Sequence, residues 1–257
     1  MALPTDGLVG YKSKSQRARI ATEAWAQVNL YCPNCESASL LPSPINTPAI
    51  DFHCPDCNSP FQLKAQSRAF SGRIVDAAYS TMVRAIQENR TPNLFALHYE
   101  PLSWTVANLV LIPRFAFPLS AVEKRPALGP TARRAGWVGC NILLHAIPSD
   151  ARIPVILNGK PSHRNAVRRQ YARIRPLARL DAEQRGWTLD VLNAVESLEK
   201  TEFSLAEVYQ TESHLATLHP ANKHVREKIR QQLQVLRNLG LVDFLHRGHY
   251  RLRRISS

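Results

Sequence analysis

The chain has 257 residues, a formal charge of +13 and a 44% apolar content. That length suits one large domain or two modest ones, and the apolar fraction is ample for packed cores. No run approaches the ~20 apolar residues of a membrane span, and the N-terminus lacks the basic-then-apolar pattern of a secretory leader, so we expect a cytoplasmic protein whose cysteines hold metal rather than disulfides.

Charge changes sign along the chain. Residues 121–180 carry 12 Lys+Arg against 2 Asp+Glu, residues 181–220 reverse to 2 against 8, and residues 221–257 return to 9 against 2. Two separated basic blocks imply two surfaces facing one polyanion, whereas solubility alone needs no such alternation.

Ser15 to Leu30 reads as a first helix with Ile20, Ala24 and Val28 on one face. Glu23 lies on it, either as a solvated carboxylate or as a metal ligand. Two cysteine pairs follow, Cys32-Pro-Asn-Cys35 and Cys54-Pro-Asp-Cys57. Each pair makes a tight knuckle whose sulfurs face one tetrahedral ion, and the gap lets the chain loop out and return. Four thiolates leave no open position, so the expected Zn2+ is structural. Cys140 has no such partner and reads as a small buried apolar residue.

The second knuckle is flanked by Ala49-Ile50-Asp51-Phe52 and Phe61-Gln62-Leu63-Lys64, which read as two strands of a hairpin. Alternation puts Gln62 and Lys64 on one face of the second strand, and the hairpin brings Asp51 beside them. An Asp on one strand with an acceptor-x-Lys on the next is similar to the layout of PD-(D/E)xK nucleases. In that chemistry Asp51 binds a divalent cation, Mg2+ or Mn2+, and the carbonyl of Leu63 adds a ligand. Lys64 orients the attacking water and offsets charge developing on the phosphate. Gln62 departs from the pattern: an amide oxygen coordinates a hard cation but brings no charge.

Residues 123–140 form a Pro- and Gly-punctuated loop with Arg125, Arg133 and Arg134 available for phosphates. Trp137 sits among them, either as an apolar contact to a base or as a buried anchor for the loop. From residue 187 the order is three helices and a hairpin. Trp187, Val191, Val195 and Leu198 mark the first helix, and Ser204-Leu205-Ala206-Glu207 is a capping box opening the second. Val225, Ile229, Leu233 and Leu236 line the third, which Gly240 ends. A basic hairpin through Arg247, His249 and Arg251 completes a winged helix. Its third helix would enter the major groove with Lys223, Arg226, Arg230, Gln231 and Gln234, while Arg247 and Arg251 meet phosphates.

These pieces resemble the DpnI-like, methyl-directed (type IIM) restriction endonucleases. The most specific stretches are Tyr31 to Cys35, Asp51-Phe52 with Cys54 and Cys57, Leu63-Lys64, Pro130 to Trp137, and Glu227 to Leu233. The resemblance implies an α/β (α+β) PD-(D/E)xK nuclease core with an inserted four-cysteine zinc-knuckle pair over residues 1–182. A winged-helix domain would follow over residues 183–257. It implies a monomer that cleaves double-stranded DNA at GATC carrying N6-methyladenine, and it favours Trp137 as a methyl sensor. Gln62 keeps a second expectation alive, a weak or inactive winged-helix reader of methylated DNA.

Overall fold

The computed structural model describes residues 1–44 and 47–253. The elements in order are helix α1 (Lys14–Asn29), strands β1 (Leu41–Pro42), β2 (Phe52–His53), β3 (Pro60–Gln66) and β4 (Arg73–Ala78), then helix α2 (Tyr79–Gln87). Strands β5 (Asn93–Glu100), β6 (Thr105–Ile112), β7 (Val122–Ala127), β8 (Val138–Leu143), β9 (Ile153–Leu157) and β10 (Lys160–Pro161) precede helices α3 (Arg164–Ile174) and α4 (Ala182–Glu196). The C-terminal part comprises β11 (Glu202–Ser204), α5 (Leu205–Tyr209), α6 (Glu212–Leu218), α7 (Val225–Asn238), β12 (Val242–His246) and β13 (His249–Leu252).

A seven-stranded sheet, order β1-β2-β3-β5-β6-β9-β10, forms the centre, with β3 and β5 as its parallel pair. Strand β5 is buried along its whole length except Glu100. Its near-continuous apolar run is what a strand covered on both faces requires. A second sheet, order β4-β8-β7, carries the arginine loop, and a third, β11-β13-β12, closes the C-terminal unit.

Two sequence expectations change. In α1 the buried stripe is Ala21, Thr22, Trp25 and Ala26, while Val28 is exposed. The helix is only weakly amphipathic, and the large Trp25 ring among small neighbours sets which face packs, not the aliphatic set at 20, 24 and 28. Residues 123–140 are also more ordered than a loop: they contain parts of β7 and β8, and only 128–137 form the tip. At the tip Leu128 N–H donates to Trp137 O and Gly136 N–H to Leu128 O, both at 2.9 Å.

Helix α4 is the shared spine. Its Asp190 accepts from Ser120 Oγ at 2.5 Å and lies 2.8 Å from His219 Nε2 in the C-terminal unit. The Trp187 ring stacks on that histidine with centroids 3.6 Å apart. Arg185, also on α4, is buried and donates to the carbonyl of Ile86 on the sheet side. Burial lowers the pKa of its guanidinium, with Arg114 adding to the effect.

The expected capping box is present: Glu207 N–H donates to Ser204 Oγ at 3.2 Å, and Ser204 N–H donates to Glu207 Oε2 at 2.7 Å. The Lys200 ammonium and these Ser204 donors hold the Glu207 carboxyl down at about 2. Because this folded value lies below the ordinary 4.5, the stabilisation is present above about pH 4.5 and is lost as pH falls towards 2. Ser204→Ala should lower unfolding free energy by about 1 kcal/mol in urea melts at neutral pH.

Candidate functional site

The four paired cysteines converge. All four sulfurs lie within 4.8 Å of one another, with Cys32–Cys57 at 3.6 Å and Cys35–Cys54 at 3.4 Å. A tetrahedral zinc with Zn–S bonds of about 2.3 Å needs sulfurs about 3.8 Å apart, so this donor set fits Zn2+. Burial pushes the Cys32 and Cys35 thiols up. Cys57 is lowered to about 6: burial opposes ionisation there, and hydrogen bonds from Ser59 and Asn34 outweigh it. Arg168 of α3 clamps the knuckle from outside, donating to the carbonyls of Cys32 at 3.2 Å and Ser37 at 3.1 Å.

The knuckle closes the β2–β3 hairpin, in which Phe52 pairs with Phe61. Asp51 lies just before β2, where its N–H donates to Phe61 O at 2.9 Å. Its carboxylate turns across the hairpin and accepts from Leu63 N–H at 2.7 Å. The aspartate therefore sits against the strand segment that carries Gln62 and Lys64. Glu23 of α1 lines one groove with Leu63 and Lys64, but it is bound to Arg19 at 2.7 Å.

The sequence reading missed Asp76 on β4. Its side chain is 4% exposed, and its Oδ1 is 2.8 Å from Lys64 Nζ. It also lines a cavity of about 30 Å³ together with Gln62. Fully buried Cys140 is close by: burial pushes its thiol up to about 11, with Asp76 raising and Lys64 lowering it. No local signal in the sequence marks Asp76, because the contact joins strands of two different sheets.

The arginine loop places Arg133 and Arg134 in solvent and Arg125 half-buried. Trp137 is half-buried too. Its ring lies over Gly139 so closely that a Cβ there would meet the ring at 2.8 Å, and the Arg134 guanidinium is 5.0 Å from the ring centroid.

In the C-terminal unit, Arg230, Gln231 and Gln234 of α7 share a concavity with Arg247 of the wing. Lys223 is exposed just ahead of α7. Two of the expected cations are engaged within the protein: Arg226 with Glu212 at 2.7 Å, and Arg251 with Glu202 at 2.8 Å. Opposite β13, Glu202 lies on β11, a strand that the sequence reading did not foresee. Among the described residues no helix is long and apolar enough to cross a membrane.

Comparison with known families gives two matches. The family described as "DpnI: Dam-replacing family" matches residues 2–180, and the one described as "DpnI_C: Dam-replacing HTH domain" matches residues 183–252.

If the tetrad holds zinc, purified protein should carry about one zinc per chain by atomic absorption. Cys54→Ser should lose that metal and melt at lower temperature, because a structural site contributes its binding energy to folding.

Proposed function

Because the chain belongs to the DpnI-type Dam-replacing family, a restriction-endonuclease family with a C-terminal DNA-binding helix-turn-helix domain, we propose that it cuts double-stranded DNA at GATC carrying N6-methyladenine, with a PD-(D/E)xK core to about residue 182 and a winged helix beyond. The observation that carries this reading is the 2.7 Å hydrogen bond from Leu63 N–H to the Asp51 carboxylate. It sets a hard anionic ligand against the strand of Gln62 and Lys64.

A divalent cation, Mg2+ or Mn2+, supplies a Lewis acid that polarises the phosphate and acidifies water when bound. The donors fit it: a carboxylate from Asp51, an amide oxygen from Gln62 and the carbonyl of Leu63, all hard oxygens. Lys64 contributes a fixed positive charge that stabilises the extra negative charge on the phosphate as it is attacked. The concavity of Arg230, Gln231, Gln234 and Arg247 holds the duplex from the winged-helix side, and Arg125, Arg133 and Arg134 hold phosphates from the other.

Methyl recognition is assigned to Trp137. Methylation at adenine N6 replaces a donor hydrogen with an apolar group in the major groove. Burying that methyl against the indole is worth only ~1 kcal/mol, about fivefold in binding. Two methyls in a palindromic site multiply that preference.

A second reading, a DNA-binding regulator without hydrolysis, is favoured by one feature, the neutral Gln62. The two readings separate in a digestion of methylated and unmethylated plasmid with Mg2+ or Mn2+ and an EDTA control. The nuclease reading expects metal-dependent breaks in methylated plasmid, lost in Asp51→Ala and Lys64→Ala. Tight salt-sensitive binding with the plasmid intact would leave the regulator.

Trp137→Ala and Gly139→Ala should each lower the preference for methylated over unmethylated duplex by up to about fivefold per methyl. Competition binding with paired oligonucleotides measures it. An unchanged preference in both would make Trp137 a loop anchor only.

A further inference from the structure

The expected acidic residue at position 62 is a glutamine, which leaves the charge balance of the metal site short. Asp51 contributes one negative charge, Lys64 one positive charge and Gln62 none, so the set drawn from the β2–β3 hairpin is neutral. Glu23 lines the groove of Leu63 and Lys64 but not the cavity that Gln62 lines. A divalent cation held beside a lysine by a neutral set has weak electrostatic support, and affinity for hard cations follows the number of charged ligands.

Asp76 changes that balance. It faces the same side of β3 as Gln62 and Lys64: it lines the small cavity with the first and ion-pairs with the second at 2.8 Å. One polar group there lacks ordinary satisfaction. Asp76 Oδ1 is buried and has no hydrogen-bond partner, since its contact with Lys64 has the distance of an ion pair without the alignment of a hydrogen bond. Gln62, on the same cavity, is only 8% exposed. A buried amide and a buried carboxylate that share a cavity of about 30 Å³ leave room for a small ion or a water, which needs only ~10–15 Å³. The other lining groups, Met82, Leu94, Phe117 and Ile142 among them, offer such a cation no competing charge.

We propose that Asp76 of β4 supplies the metal-ligating negative charge that Gln62 lacks, so that the acidic pair of the site is Asp51 and Asp76, carried on two different sheets. The assignment rests on the nuclease reading above. In the metal-free state Asp76 neutralises Lys64; with the cation in place the carboxylate serves both charges, and Lys64 stays next to the site.

The test is a Mn2+ titration of the full-length, zinc-loaded protein, followed by the EPR signal of free Mn2+, with plasmid cleavage as a second readout. Asp76→Asn is expected to weaken Mn2+ binding by roughly tenfold or more, as Asp51→Ala does. In that background Gln62→Glu is expected to restore Mn2+ affinity to near the wild-type value, because the charge returns on the neighbouring strand. A merely structural role for Asp76 gives no such rescue. Wild-type binding in Asp76→Asn, with binding lost in Asp51→Ala, overturns the assignment and leaves the nuclease reading standing. A wild-type protein that binds no Mn2+ overturns both. If Asp76→Asn loses its zinc or its cooperative melt, wild-type crystals soaked in Mn2+ decide: an anomalous peak within coordination distance of both Asp51 and Asp76 supports the assignment, and a peak on Asp51 alone overturns it.

Discussion

The β2–β3 hairpin is held at both ends. At its tip, four cysteine sulfurs lie within 4.8 Å of one another, a donor set that fits Zn2+. At its base, the Asp51 carboxylate accepts the Leu63 N–H at 2.7 Å. Two strand residues on the Asp51 side are too few to fix a hairpin by backbone pairing alone. The tetrad supplies the missing constraint, and Arg168 ties it to α3 through two carbonyls. Loosening the tip would release Asp51 from its hydrogen bond to the Phe61 carbonyl, and the placement of its carboxylate against β3 depends on that bond. The zinc site is therefore structural in its chemistry yet decisive for the geometry of the candidate active site.

Helix α4 plays the corresponding part between the two basic regions. Asp190 holds Ser120 on one side and His219 on the other, and the Thr188 hydroxyl lies 2.7 Å from fully buried Gln232 of α7. A buried carboxylate with two partners and a buried amide held from a facing helix specify one arrangement more sharply than apolar packing does. The arginine loop and the α7–wing concavity are thus carried by elements that share this one helix, which under the proposed function keeps the spacing at which one duplex meets both.

Local signals were legible and non-local ones were not. The cysteine pairs, the Ser204 capping box and the α7 stripe are all patterns within one or two elements, and the structure shows each as read. The hairpin is present, but of the strand read over Ala49 to Phe52 only Phe52 is strand: Ala49 turns with a positive φ, and Asp51 lies just ahead of β2. The α1 face was misjudged because Ile20, Ala24 and Val28 have the right spacing, while the ring of Trp25 decides the packing. Asp76 was invisible because its meaning lies in a contact of β4 with β3 across two sheets. The seat of Trp137 on Gly139 was not legible: only the placement of the ring over that glycine shows that a Cβ there would meet it at 2.8 Å. The internal partners of Arg226 and Arg251 depend on where α6 and β11 fall, which no periodicity states.

Those internal partners do not rule the two arginines out of the DNA-binding surface of the proposed function. Arg226 and Arg251 are 60% and 50% exposed, and their carboxylate partners are also solvent-accessible. Exposed pairs of this kind are weak, because water screens them and holding two long side chains in one geometry costs entropy, whereas a phosphate contact gains by releasing condensed counterions from DNA. An approaching duplex can therefore take either guanidinium from its carboxylate at small cost. Arg230 and Arg247 make no ion pair among the described residues and already share one concavity with Gln231 and Gln234. Under the proposed function the surface holds two kinds of cation: Arg230 and Arg247, which make no ion pair among the described residues, and Arg226 and Arg251, held in reserve by weak pairs. The reserve pairs keep the unbound surface less self-repulsive, which matters in a chain of net charge +13.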